Sequence, residues 1–232
     1  GWGQFQTSEI TAWLKEIDPS RLVNQTSGWA DRGGSDVHDK HSYPGPDMFP
    51  IEESRASVLG EFGGLGWPIQ GHLWWDKRNW GYRNYQDREA LARHYEQLIR
   101  KLRYLIHDGL AAAVYTQTTD VEGEVNGLMT YDREVLKMDT GWINLANRGY
   151  LPPMLESEQR IFLDKMDVNF KKPVAGGMIF YSLDGSDPDL TSDRYTAPVT
   201  VSHNLTLKAR VIWPDGHKSR IRAYRFNMVS PV

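Results

Sequence analysis

Apolar and polar positions change period along the chain, and the changes divide it. Between residues 7 and 17, Ile10, Trp13, Leu14 and Ile17 recur at helical spacing, the stripe of an amphipathic helix. Thr7 or Ser8 can cap its start, and Asp18-Pro19 ends it. Short runs at 21–24, 36–41 and 56–61 predict strands, the second stopped by Tyr43-Pro44-Gly45-Pro46. A long irregular segment rich in Gly and Trp covers 63–85. Leu91, Tyr95, Leu98, Leu102 and Leu105 predict a long helix over 87–107, with Gly109 placed to terminate it. The compact apolar run 110–116 predicts a buried strand, and 142–148 a short final helix.

After Pro152-Pro153 the helical period disappears. Met178-Ile179-Phe180-Tyr181 reads as a strand ending in the turn-rich run Asp184 to Pro188. Leu205, Leu207, Ala209 and Val211 alternate with Thr206, Lys208 and Arg210, the pattern of a half-buried strand. Asp215-Gly216 signals a hairpin whose return strand is 221–228. The reading is a small all-β sandwich over 160–232, joined by a linker at 151–159 to a first domain at 1–150.

In that first domain, strands alternate with helices or long loops, and polar residues gather just after each strand. That is the grammar of a β/α barrel with its chemistry at the strand C-termini. Four strands are visible where a closed barrel needs eight. The choice lies between half a barrel and a smaller α/β fold.

Composition removes several function classes. Of 232 residues, 40% are hydrophobic and 25% charged, enough for a real core. A net charge of -3 with no basic block argues against a nucleic-acid partner. No apolar run is long enough to span a membrane. The absence of cysteine removes disulfides and thiolate chemistry. No cofactor motif is present. The 9 Trp and 11 Tyr form a heavy aromatic load, suited to stacking on sugars.

Five segments resemble glycoside hydrolase family 2, which includes β-galactosidases, β-glucuronidases and β-mannosidases. They are Gly1-Trp2-Gly3-Gln4-Phe5, Arg21-Leu22-Val23-Asn24, His41 to Pro46, Leu59-Gly60-Glu61-Phe62-Gly63-Gly64 and Tyr115 to Asp120, in that order. The resemblance covers about 1–150 and implies the second half of a (β/α)8 TIM barrel, strands five to eight. It implies a retaining exo-β-glycosidase, β-galactosidase-like, acting through a covalent glycosyl-enzyme. Glu61 then maps onto the nucleophile. The general acid/base glutamate would lie immediately before the Gly-Trp-Gly-Gln segment, outside this chain. Chain alone, the expectation is negligible activity, with the missing barrel half or a second copy as partner. Residues 160–232 resemble the β-sandwich module appended to chitobiases, carried by Ile179 to Pro188, Tyr195-Thr196-Ala197-Pro198 and Leu205 to Ala209. Such an accessory module favours a secreted or periplasmic parent. The competing function is a non-catalytic carbohydrate-binding or structural chain.

Retaining hydrolysis needs two carboxyl groups roughly 5–5.5 Å apart, one of them an ionised nucleophile. Glu61 suits that role because it follows an apolar strand and is crowded by glycines. Its run alone fits a solvated loop glutamate or a helix cap equally well. Tyr43 is implied as the hydrogen-bond donor that orients the nucleophile; a packing tyrosine is the alternative. Candidate sugar contacts are Asn24, Trp29, His41, Trp67, Trp74, Gln117 and Asp120, with loop packing as the alternative for the tryptophans. Metal is not expected. His38 and His41 fall on opposite faces of a strand, and Asp184, Asp187 and Asp189 read as Asx turns. Glu122 and Glu124 read as solvated.

Overall fold

The computed structural model describes residues 3–173 and 176–229. Gly1 and Trp2 of the first family-like segment lie outside the described residues. The chain forms two compact units, Gly1–Thr140 and Gly141–Val232.

The first unit opens with α1, Thr7–Ile17, whose limits follow the predicted stripe. Its N-cap is Gln6 in a left-handed conformation with no side-chain cap, not Thr7 or Ser8. The apolar face of α1 is exposed at Ile10, Trp13, Leu14 and Ile17. Next come β1 (Val37–Ser42) and β2 (Ala56–Gly63), then β3 (Leu65–Gly66) and β4 (Arg83–Asn84), a two-residue parallel pair. The long helix α2, Arg88–His107, starts where Asp87 accepts a hydrogen bond from the Ala90 N–H at 2.7 Å. This N-cap satisfies one of the first turn's free donors. α2 buries Leu91, Ala92, Tyr95, Leu98 and Ile99. β5 is Ala112–Thr116. The sheet order is β1-β2-β5, with both pairings parallel.

The half-barrel expectation is overturned. A barrel half demands repeated strand-helix units. The described residues are mostly β, with three helices and several small sheets. One connection, from β2 to β5, carries a helix between sheet strands. Between β1 and β2 stand Pro44, Pro46 and Pro50, which remove backbone donors and bias their predecessors out of the helical region. No strand forms at 21–24. There the Val23 N–H donates to the Asp36 carboxylate at 2.6 Å, and Leu22 is exposed. The Asp36 N–H in turn donates to Val23 O at 3.1 Å, so one residue ties that segment and no ladder forms. The run expected to be buried on both faces is β5, an edge strand with Ala112 and Val114 exposed.

The second unit holds α3, Thr140–Asn147, whose first residue closes unit 1, and then seven strands. These are β6 (Ile161–Phe162), β7 (Met166–Val168), β8 (Met178–Ser182), β9 (Asp193–Arg194), β10 (Val199–Val201), β11 (Leu205–Ile212) and β12 (Arg222–Met228). A five-stranded sheet runs β6-β12-β11-β8-β9, beside the pair β10-β7. Both contribute to one core, with Val168, Val199 and Val201 from the pair and Ile179, Leu207, Ala209, Val211 and Phe226 from the larger sheet. Two sheets sharing one core make a β-sandwich-type module. The predicted alternation appears in β11, whose Leu207, Ala209 and Val211 are fully buried. The Asp215-Gly216 turn that follows places Gly216 at φ 86°, open to glycine without strain.

Phe226 has no exposed surface. Phe226→Ala is expected to cost about 3–5 kcal/mol, read as a lower denaturant midpoint for the second unit by near-UV circular dichroism.

Candidate active site

The site forms where β1 and β2 end side by side. On β2, Ser57 and Leu59 are buried, as strand alternation requires, but the next buried residue is Phe62. The parity breaks because β2 carries one more residue than either neighbour here. Lys40 pairs with Leu59 and His41 with Glu61 on one side; Leu59 pairs with Ala113 and Phe62 with Tyr115 on the other. Such a bulge re-aims a side chain. Without it, Glu61 would share the face of Leu59.

Gly60 is the extra residue. Its N–H donates to Asp39 Oδ1 at 2.8 Å, and an added Cβ would lie 2.3 Å from that oxygen. Only glycine lets the carboxylate dock there. Asp39 is buried and also accepts from Asn24 Nδ2 at 2.6 Å, with Ser27 Oγ at 3.3 Å.

Glu61 keeps 42% of its side chain exposed. Its Oε2 accepts the Tyr43 hydroxyl at 2.6 Å, a charge-assisted length, and lies 3.1 Å from His41 Nδ1. No described residue hydrogen-bonds Oε1. Burial and the neighbouring Glu61 charge push the Tyr43 phenol far above its usual range, so it stays a donor. The Tyr43 ring stacks on Tyr82 at 3.7 Å, and Trp80 meets Tyr82 edge-on at 5.5 Å. Gly64, at φ 65°, allows this approach, since an added Cβ would lie 2.4 Å from the Tyr82 ring. The buried His41 ring has Ser27 Oγ at 2.8 Å from Nε2 and Trp29 edge-on at 5.7 Å.

Five expected site residues, Asn24, Trp29, His41, Tyr43 and Glu61, are thereby joined in one network. The others stand differently. Trp74 is exposed and meets Tyr131 edge-on at 5.5 Å. Half-buried Trp67 donates its backbone N–H to Val125 O at 2.9 Å. Gln117 donates to Asn126 Oδ1 at 2.9 Å, and Asn126 in turn donates to Glu124 Oε1 at 2.8 Å. Glu124 is thus held at the end of a side-chain chain and is half-buried. Asp120 is buried, accepting from Lys137 Nζ at 2.6 Å and Gly127 N–H at 2.8 Å, while its Oδ2 has no partner among the described residues. Burial raises the Asp120 carboxyl and lowers the Lys137 amine, each shift opposed by the other partner. Desolvation dominates both, so the pair adds little net stability.

Asp39 and Ser27 complete the network; the sequence marks Ser27 as a candidate pocket-lining residue and Asp39, beside His38 and His41, as a candidate sugar-hydroxyl contact, but not the bonds they make here. The usable signal was strand period: Asp39 and His41 lie two apart, on one face. His38 belongs to a separate cluster, beside Glu52 and Asp31. Asp184 and Asp189 each cap the backbone two residues on, at 2.9 and 2.7 Å, as Asx turns do. The groups that could hold a cation together are His72, Asp132 and Glu134, with ligand atoms within 4.8 Å of one another. Asp132 there is already engaged by Thr130 Oγ1 at 2.5 Å and His72 Nδ1 at 2.8 Å. Among the described residues, no helix is long and apolar enough to cross a membrane.

Residues 168–226 match the family model described as Fn3 associated. The match spans the strands from β7 to β12 and does not reach the first unit. No curated protein matches the chain.

Two outcomes are expected. Lys137→Met leaves a buried carboxylate alone and should destabilise unit 1 by about 3–5 kcal/mol, with Asp120→Asn in the same chain recovering most of it in urea unfolding. The Thr130 hydroxyl, and then His72, lower the Asp132 carboxyl to about 2. A depressed carboxylate stabilises the fold above its unfolded value of 3.8 and loses that contribution as pH falls toward 2. Carbon-13 NMR of the Asp132 carboxyl should titrate near pH 2.

Proposed function

We propose that the first unit carries the nucleophile of a retaining exo-β-glycosidase, Glu61, with Tyr43 as its orienting donor. The single observation that carries the reading is the 2.6 Å hydrogen bond from Tyr43 to one oxygen of a strand-end glutamate whose other oxygen is open. A nucleophilic carboxylate needs to be ionised, held and accessible at once. A donor that stays protonated holds it, and partial exposure keeps it accessible. The likeness of five ordered segments to glycoside hydrolase family 2 supports the same reading, and so do the exposed rings of Trp80 and Tyr82 beside Tyr43.

In this chemistry the free oxygen of Glu61 attacks the anomeric carbon of a terminal sugar. The glycosidic carbon–oxygen bond breaks, and the leaving oxygen takes a proton from a second carboxyl group. That group, now a base, removes a proton from water, whose oxygen attacks the same carbon and releases Glu61. Two inversions give retention. The proposal assigns the acid/base role to none of the 232 residues, in keeping with the family resemblance. The chain then supplies the nucleophile half of the pair. For the second unit, the proposal is a carbohydrate-associated accessory module of the kind appended to chitobiases.

A dinitrophenyl leaving group departs without a proton, so the nucleophile can be tested alone. Incubation of the chain with 2,4-dinitrophenyl 2-deoxy-2-fluoro-β-D-galactoside should add one fluorosugar to the peptide holding Glu61, read by mass spectrometry. Tyr43→Phe should slow that labelling roughly 10²-fold, the scale of a misplaced reacting group. Adducts on another residue, or none with galacto-, gluco- and manno-configured probes, overturn the assignment.

A further inference from the structure

His41 offers sugar nothing directly, because the ring is buried and both nitrogens are engaged within the protein. Nε2 faces the Ser27 hydroxyl at 2.8 Å, and Nδ1 faces Glu61 Oε2 at 3.1 Å. Glu61 is ionised in its proposed role. The negative charge of a carboxylate oxygen 3.1 Å away favours the proton on Nδ1 over a bare nitrogen there. Nε2 is then the acceptor, and Ser27, with one proton and two acceptors in reach, gives it to the nearer. That is Nε2 at 2.8 Å rather than Asp39 Oδ2 at 3.3 Å.

We propose that His41 is a positioning residue for Glu61, locked by Ser27 in the Nδ1–H tautomer, so that the nucleophile is braced from two sides and its second oxygen points to substrate. The inference rests on the reading of Glu61 as nucleophile. Among the described residues, the titratable groups facing the ring through these contacts are Glu61 on β2, Asp39 beyond Ser27, and Tyr43 beyond Glu61. Trp29 and Gly28 close the remaining sides without charge. An added Cβ on Gly28 would lie 2.4 Å from the ring, so the imidazole has no room to rotate away.

The test reads the tautomer in the intact chain, labelled with nitrogen-15 histidine. At neutral pH, long-range proton–nitrogen correlation should show His41 Nδ1 protonated and Nε2 bare. Ser27→Ala should move the proton toward Nε2, and Glu61→Gln should shift Nδ1. A wild-type Nε2–H tautomer, or His41 nitrogens indifferent to Glu61→Gln, overturns the proposal. Labelling by the fluorinated galactoside gives the second readout. His41→Leu should slow it roughly 10²-fold with little change in the saturating concentration. His41→Asn, which keeps a donor at the Nδ1 position, should restore most of the rate. Equal losses in the Leu and Asn variants also overturn it. Failure of Glu61 to label at all, with the Nδ1–H tautomer present, refutes the nucleophile and leaves the brace standing.

Discussion

The buried carboxylate of Asp39 ties three stretches of chain together at one point. It accepts from Asn24 in the loop after α1 and from the backbone of Gly60 on β2, and Ser27 lies within reach. Hydrogen bonds to a charged group are worth about 1.5–3 kcal/mol each, and a buried charge without them is costly. The bulge at Gly60, the outward aim of Glu61 and the seat of Ser27 against His41 follow from satisfying this one group. Removing it would leave the Gly60 N–H without its acceptor at the point where both ladders slip.

The second charged centre of the first unit is of another kind. Lys137 and Asp120 are sealed from solvent, and their balance concerns the fold, not substrate. The network around Glu61 instead keeps one end wet, through the exposed Asn24 and Ser27 and the half-open carboxylate itself. Burial on one side and water on the other is what a group needs if it is to be held in place and still reached by a substrate.

Legibility in the sequence followed the range of the interaction. The limits of α1 and the existence of α2 were readable from local period, and the Asp87 cap and Gly109 agree with it. The hairpin of β11 and β12 was readable from alternation plus Asp215-Gly216. Fold class was not, because alternation of strand-like and helix-like runs does not encode which connections bear helices, and prolines denied one to the β1–β2 connection. The strand read at 21–24 failed because Asp36 captured Val23 from the side. At the site, Glu61 and Tyr43 stood out by their place after strands. The contact of Ser27 with His41, and the burial of Asp120 against Lys137, depend on register between distant segments and left no local mark.

The extra residue in β2 has a consequence for how this stretch tolerates change in length. Both flanking ladders would come back into step if one residue were deleted between Leu59 and Phe62. If the residue lost were Gly60, Leu59, Glu61 and Phe62 would alternate regularly with Glu61 on its present face, but Asp39 would lose the Gly60 N–H. Substitution of Gly60 is punished by sterics, whereas its deletion would be forgiven by the ladders and felt through the buried Asp39 carboxylate. The surplus residue thus serves the buried carboxylate rather than the ladders on either side of it.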